Sequence, residues 1–150
     1  MAALTCVPGA SAVFRGGVVS YTTAVKREVL GVDAGLIERE GVVHSQVAAE
    51  MAEEGKVGEE EKPTTWGLAT TGIAGPTEQD GKPVGTVFIG IASREGSHGL
   101  GPFMFPGSRD RIREATVVEA LWQLRNLLGE QDGKTHVIRQ IKLRKDIDWG

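Results

Sequence analysis

The sequence predicts an α/β domain in which helices cover a sheet, and three observations point there. Apolar runs of strand length alternate with segments of helical period along a single chain of 150 residues. One run, Val84 to Ala92, is apolar at successive positions and so suits a strand buried on both faces. Between the runs sit 21 glycines, twice the frequency of roughly 7% usual in soluble proteins, which marks frequent tight turns.

Taken in order, Met1 to Leu4 reads as the end of a helix, stopped by the turn Val7-Pro8-Gly9-Ala10-Ser11. Gly16-Gly17-Val18-Val19-Ser20-Tyr21 reads as a short buried strand entered through glycines. Thr22 or Thr23 is placed to cap a helix that runs to Leu30 and closes at Gly31. Ala34 to Glu40 forms the next helix, ended by Gly41, and Ser45 caps a third in which Val47, Ala48 and Met51 share a face. The acidic stretch from Glu50 to Lys62 is a solvated helix end running into a loop. Trp66 to Thr71 is a strand feeding the turn Gly72-Ile73-Ala74-Gly75-Pro76, and the polar loop Thr77 to Pro83 leads into the central strand. Gly99 to Phe105 pairs beside it, where Pro102 requires an edge or a bulge. Ser108 caps the longest helix, Arg109 to Leu128, with Val117, Leu121, Leu124 and Leu128 as its central core-facing stripe, flanked by Ala120, Leu127, Val118 and Trp122, and Gly129 as its end. Residues 130–150 form a polar extension, with five Lys/Arg against two Asp from residue 134 onward.

Composition excludes several function classes. Seventeen Lys+Arg against 20 Asp+Glu leave a net charge of -3, without the basic excess of a nucleic-acid surface. Cys6 is the only cysteine, so neither a disulfide framework nor a cysteine-based zinc cage is available. His44, His98 and His136 lie far apart without ligand-like spacing, so no metal site is expected. No apolar run approaches the roughly 20 residues of a membrane span. The N-terminus also lacks the pattern of a secretory signal, and a cytoplasmic protein is expected.

Three local features carry chemistry. The turn Gly72 to Pro76 leaves a buried strand, and such turns aim backbone N–H groups at an anion or an oxyanion as readily as they simply end strands. Tyr21 stands at a strand end with Lys26 five residues on. A Tyr–Lys pair moves protons when both reach one pocket and is otherwise a packed ring beside a solvated amine. Arg109, Arg111 and Arg113 crowd the start of the long helix, where positive charge opposes the helix dipole. An anion bound at the free N–H groups of that helix end relieves the conflict.

In order and spacing these blocks form a larger pattern. Leu4-Thr5-Cys6-Val7-Pro8-Gly9-Ala10-Ser11, Phe14-Arg15-Gly16-Gly17-Val18-Val19-Ser20-Tyr21 and Leu30-Gly31-Val32-Asp33 come first. Gly41-Val42-Val43, Thr70-Thr71-Gly72-Ile73-Ala74-Gly75-Pro76, Lys82-Pro83-Val84-Gly85-Thr86-Val87 and Phe105-Pro106-Gly107-Ser108-Arg109 follow, with Ile112-Arg113 behind. The pattern resembles the C-terminal domain of the competence/damage-inducible CinA family, the nicotinamide-nucleotide amidase domain, over about residues 2 to 129.

That resemblance implies a three-layer α/β/α sandwich with a mostly mixed sheet, its first strand missing, over a domain at residues 1–129; the polar basic tail at 130–150 has no counterpart in it and is expected to be loosely attached. It implies hydrolysis of the carboxamide of nicotinamide mononucleotide to nicotinic acid mononucleotide and ammonia. It further implies Tyr21 and Arg109 as catalytic residues and Lys26, Thr71, Gly72 and Gly75 as substrate-binding ones. No cofactor is implied; the expected partner is nicotinamide mononucleotide or a similar small nucleotide, without nucleic acid or membrane, and a homo-oligomer is admitted. The family's nucleophile is a serine in a Glu-Ser-x-Thr-Gly-Gly turn on its first strand, and the chain is expected to start downstream of both. Two functions therefore fit: an amidase supplied with a nucleophile, or a catalytically inactive module that binds a nucleotide or a protein.

Overall fold

The computed structural model describes residues 1–55 and 64–132. Five helices and three strands follow one another as α1 (Ala2–Thr5), α2 (Thr23–Glu28), α3 (Ala34–Glu40), α4 (Ser45–Glu54), β1 (Gly67–Gly72), β2 (Thr86–Ser93), β3 (Gly96–Met104) and α5 (Arg109–Asp132), with a short 3₁₀ turn at Ala10–Ala12. The strands form one sheet in the order β1-β2-β3.

β2 organises the molecule. Its residues from Thr86 to Ala92 are all buried, because successive side chains enter two different cores. Val87, Ile89 and Ile91 pack with Ile112 and Ala120 of α5, whereas Phe88 packs with Val43 and with Ala48 of α4. Helices thus cover both faces, which gives the expected α/β layering. Behind α4 a further cluster joins Val47 and Met51 to Leu30, Val32 and Leu36 around α2 and α3.

The sheet is antiparallel throughout rather than mixed. β1 returns to β2 through a loop without a helical crossover, and β2 turns into β3 over Arg94 and Glu95. The two-residue β2–β3 turn can join only antiparallel neighbours, since parallel strands need a crossover of about a dozen residues or more. The bulge anticipated at Pro102 is present: Val87 pairs with Phe103 but Ile89 with Leu100, so β3 carries one extra residue. Gly101 makes this possible, with φ of 119° and no room for a Cβ beside the Val87 carbonyl.

Helix starts follow local chemistry. Thr22 caps α2 by accepting from the Val25 amide at 3.3 Å, and Asp33 caps α3 by accepting from Leu36 at 2.6 Å. The cap of α4 falls one residue earlier than expected, on His44, whose Nδ1 accepts from the Gln46 amide at 3.3 Å. α5 runs past Gly129 to Asp132, because a glycine weakens a helix without ending it when no αL turn follows. Its inward face is also rotated from the expected stripe: Ile112 and Ala120 are buried, with Leu124 and Leu127 against them. Val117 and Val118 are exposed.

One expected element does not form. Residues 16–21 take up no strand, and Val18 and Val19 are exposed. β-propensity is a fit to a pairing surface rather than a property of the segment, and among the described residues no neighbour pairs with this one. The expected tail at 130–150 is helical at its start, through Asp132; residues 133–150 lie outside the described residues, as do 56–63.

Candidate functional site

The turn that follows β1 and the start of α5 face each other across a cleft of about 480 Å³. Ala74, Gly75, Pro76 and Val84 line one side, and Gly107, Ser108 and Arg109 the other. The wall at Val84 is apolar, and the opposite end is the N-terminus of a long helix, where backbone N–H groups and the dipole favour an anion. Ser108 begins that helix: its carbonyl accepts from Ile112 at 2.9 Å and its Oγ faces the Arg111 amide at 3.5 Å.

Arg109 ties three distant segments together. One guanidinium nitrogen donates to the Gly75 carbonyl at 2.8 Å, and the other to the Tyr21 hydroxyl at 2.9 Å. The fork geometry of the guanidinium leaves further N–H donors for an anion in the cleft. Of the arginine cluster at this helix end, only Arg109 makes this bridge. Arg113 pairs with Asp110 at 3.5 Å on the exposed surface, where such pairs contribute little, and Arg111 lies against Gly107. A second hollow of about 220 Å³ lies near Phe88 and Met104; Lys82, the one charged residue lining it, donates to the Glu40 carbonyl.

Lys26 is buried on α2 at 7% exposure. Its Nζ donates to the Ser20 carbonyl at 2.6 Å, which brings the amine to the peptide that precedes Tyr21. Burial disfavours the charged form and lowers its pKa from the ordinary 10.5. A lysine so shifted exchanges protons more readily near neutrality than a solvated one.

The expected site residues therefore divide. Arg109 and Gly75 line the cleft, Tyr21, exposed at 76%, reaches Arg109 from outside that lining, and Lys26 holds the Ser20 carbonyl next to it. Thr71 is buried with its hydroxyl donating to the Val42 carbonyl at 2.8 Å, a fastening between β1 and the α3–α4 loop. Gly72 closes β1 in register with Val87, and a Cβ there would lie 2.7 Å from the Val87 side chain. Sequence reasoning missed Ser108 and Val84 as lining residues. The signal for Ser108 was its capping position, which was read only as a helix start. Cys6 is exposed with its Sγ near the Ala3 carbonyl, away from any of these groups.

Comparison with known proteins then bears on the geometry. The model of the CinA C-terminal domain matches residues 1–128. The chain belongs to that family. A CinA-like protein of Frankia casuarinae is 51% identical over 128 residues, covering 84% of this chain and 28% of the relative. A putative competence-damage inducible protein of Desulforamulus reducens is 43% identical over 127 residues, covering 85% and 30%. The chain thus spans less than a third of the length of these curated relatives. Among solved structures, the competence/damage inducible protein CihA of Agrobacterium tumefaciens superposes with a TM-score of 0.74 at 36% identity, covering 84% of this chain and 76% of that one. A CinA superfamily protein of Escherichia coli gives 0.76 at 28% identity, covering 84% and 72%. The α/β fold described above is the fold of these CinA proteins. Among the described residues of this CinA domain, no helix is long and apolar enough to cross a membrane.

Proposed function

We propose that this CinA domain binds nicotinamide mononucleotide, or a similar small nucleotide, in the cleft between the Gly75 turn and α5. The observation that carries the reading is the Arg109 bridge to Gly75 and Tyr21, which holds a guanidinium at the mouth of a helix N-terminus. The phosphate engages the remaining Arg109 donors and the amides at the start of α5, and the nicotinamide ring lies along the Val84 and Pro76 wall.

The chemistry proposed for this site is hydrolysis of the carboxamide. An oxygen nucleophile adds to the amide carbon, the C–N bond breaks, and ammonia leaves with a proton; water then releases the carboxylate product. A protein-interaction module is the second reading, favoured by the exposure of Val13 at 79% and Val19 at 70%. The mononucleotide titration separates the two, because that reading needs no nucleotide and a wild type that takes it up removes its support.

The test of the first reading is titration calorimetry with nicotinamide mononucleotide. Arg109→Ala removes a charge-assisted contact and should weaken binding roughly 10- to 150-fold, with a smaller loss as salt is raised. Equal affinity in the wild type and Arg109→Ala refutes the placement of the phosphate.

A further inference from the structure

The loop from Thr77 to Pro83 ends in a tight hairpin that reaches away from the cleft. Gln79 and Lys82 exchange backbone hydrogen bonds of 3.2 and 2.9 Å. Asp80 and Gly81 between them have φ of 52° and 68°, the left-handed pair of a two-residue hairpin. The tip carries the Asp80 carboxylate to the α3–α4 loop, where Oδ2 accepts from the Val42 amide at 3.2 Å. It fills the space where Gly41 lacks a side chain. Beside it, Lys82 donates to the Glu40 carbonyl at 3.3 Å.

Val42 is held from both sides. Its amide meets Asp80, its carbonyl meets the Thr71 hydroxyl at 2.8 Å, and its side chain packs with Ile73 and Phe88 in one cluster. Val84, which lines the cleft, packs against the same cluster. The loop that forms the cleft rim is thus fixed at three places. Its base is closed by Ile73 with Thr86 and Gly85 with Ile73 at 2.9 and 2.8 Å. Its rim is held by Arg109 on Gly75, and its tip by Asp80 on Val42.

We propose that Asp80 is a positioning residue for the cleft: its carboxylate latches the loop tip to Val42 and thereby holds Gly75 and Val84 in the geometry that receives the ligand. This rests on the proposed function only for the identity of the ligand. Without the latch the rim samples more conformations, and a ligand must order it again on binding.

Two variants separate the carboxylate from the backbone. Asp80→Gly keeps the left-handed conformation and removes the acceptor, whereas Asp80→Asn keeps an oxygen acceptor and tolerates the same φ. The readouts are ¹⁵N order parameters of Ala74 and Gly75 and calorimetric titration with nicotinamide mononucleotide. In Asp80→Gly the order parameters should fall from rigid values near ~0.85 by about 0.1 or more. Affinity should fall about three- to tenfold. Asp80→Asn should stay within about twofold of wild type, because the accepted hydrogen bond survives. Adding Arg109→Ala to Asp80→Gly should weaken binding less than it does in the wild type, since both restrain one rim.

Order parameters at Ala74 and Gly75 that do not change in Asp80→Gly overturn the proposal. So does an Asp80→Asn variant as impaired as Asp80→Gly, or strictly additive effects of Asp80 and Arg109. If the wild type takes up no nicotinamide mononucleotide, the proposed function fails, and the order parameters alone still decide the latch.

Discussion

Substituting Gly90 by alanine is expected to destabilise the fold more than the size of a methyl group suggests. Gly90 pairs directly with Gly99 across β2 and β3, and together they leave a bare strip on the sheet. The backbone of α4 lies on that strip. A Cβ on Gly90 would run into the Ala48 carbonyl and lie 2.9 Å from the Ala49 amide nitrogen, and one on Gly99 would run into the Ser45 carbonyl. Ordinary contacts need about 3.5–4.0 Å, so clearing the Ala48 carbonyl requires α4 to retreat by well over 1 Å. A gap of about 1 Å already forfeits up to about half of each contact's attraction. It acts on Val47, Ala48, Ala49, Met51 and Ala52, all of them buried.

Overpacking of a core costs about 1–3 kcal/mol, and here the obstacle is helix backbone, which cannot swing aside like a side-chain tip. The lower chain entropy of alanine returns about 0.5–1 kcal/mol. Backbone contact puts the cost at the upper end of that range, so a net loss of about 2–2.5 kcal/mol remains, which at ~2–4 °C per kcal/mol lowers Tm by about 4–10 °C. Gly129 is the control: it lies within α5 with nothing within 4 Å of its Cβ position. Gly129→Ala should raise Tm by about 1–4 °C from helix propensity alone. The double variant of Gly90 and Gly99 should lose less than the sum of the singles, because one displacement of α4 relieves both clashes. Calorimetric melting reads all four proteins, and a Gly90→Ala variant melting within about 1 °C of wild type refutes the reasoning.

The remaining expectations concern the cleft. Lys26 has a folded-state pKa lowered by burial from 10.5. Between that lowered value and 10.5 the unfolded chain binds more protons than the folded one, so this residue makes stability rise with pH across the window. Lys26→Met should remove that rise, and denaturant titrations giving parallel pH profiles for wild type and variant would contradict it. Gly75 has φ of 88° and Val84 packed 3.1 Å from its Cβ position. Gly75→Val should weaken mononucleotide binding through steric blockage and backbone strain, with an unchanged salt dependence; a steeper or shallower salt slope in the titrations argues against this cause. The 150-residue chain should release ammonia at least about a thousandfold more slowly than a family member that carries the serine turn. Ordinary turnover in a coupled ammonia assay would move the nucleophile into this chain, with Tyr21 the first to substitute.

Local signals made much of the fold legible. The helix Ala34–Glu40 has the same ends in the sequence reading and in the structure, because Gly41 adopts a positive φ that only a glycine takes readily. The double-sided burial of β2 follows from its unbroken apolar run. What could not be read depends on partners distant in the chain. The segment 16–21 has strand composition, yet composition cannot supply a neighbouring edge. The packed face of α5 shares Leu124 with the expected stripe but centres on Ala120 and Leu127 at its flank, because helical period fixes spacing but not which side meets the sheet. Nor does a threonine in a strand announce where its hydroxyl goes, and Thr71 is committed to Val42, 29 residues away.

The candidate site was more legible than its surroundings, for a physical reason. Arginine at a helix N-terminus opposes the dipole, and a local rule broken without local compensation points to a partner elsewhere. For Arg109 that partner set is Gly75 and Tyr21, 34 and 88 residues away. Lys26 breaks a rule of the same kind, since a lysine at 7% exposure is rare unless its charge is put to use. Thr71 and Gly72 break none: a β-branched residue belongs in a strand, and Gly72 is accounted for by its contact with Val87. Arg109 and Lys26, both in conflict with their own elements, are tied to Gly75, Tyr21 and the Ser20 carbonyl, whereas Arg111 and Arg113 share the conflict with the dipole and stay outside that bridge. Asp80 is in a conflict of its own, a non-glycine residue held at φ of 52° whose carboxylate is used 38 residues away at Val42.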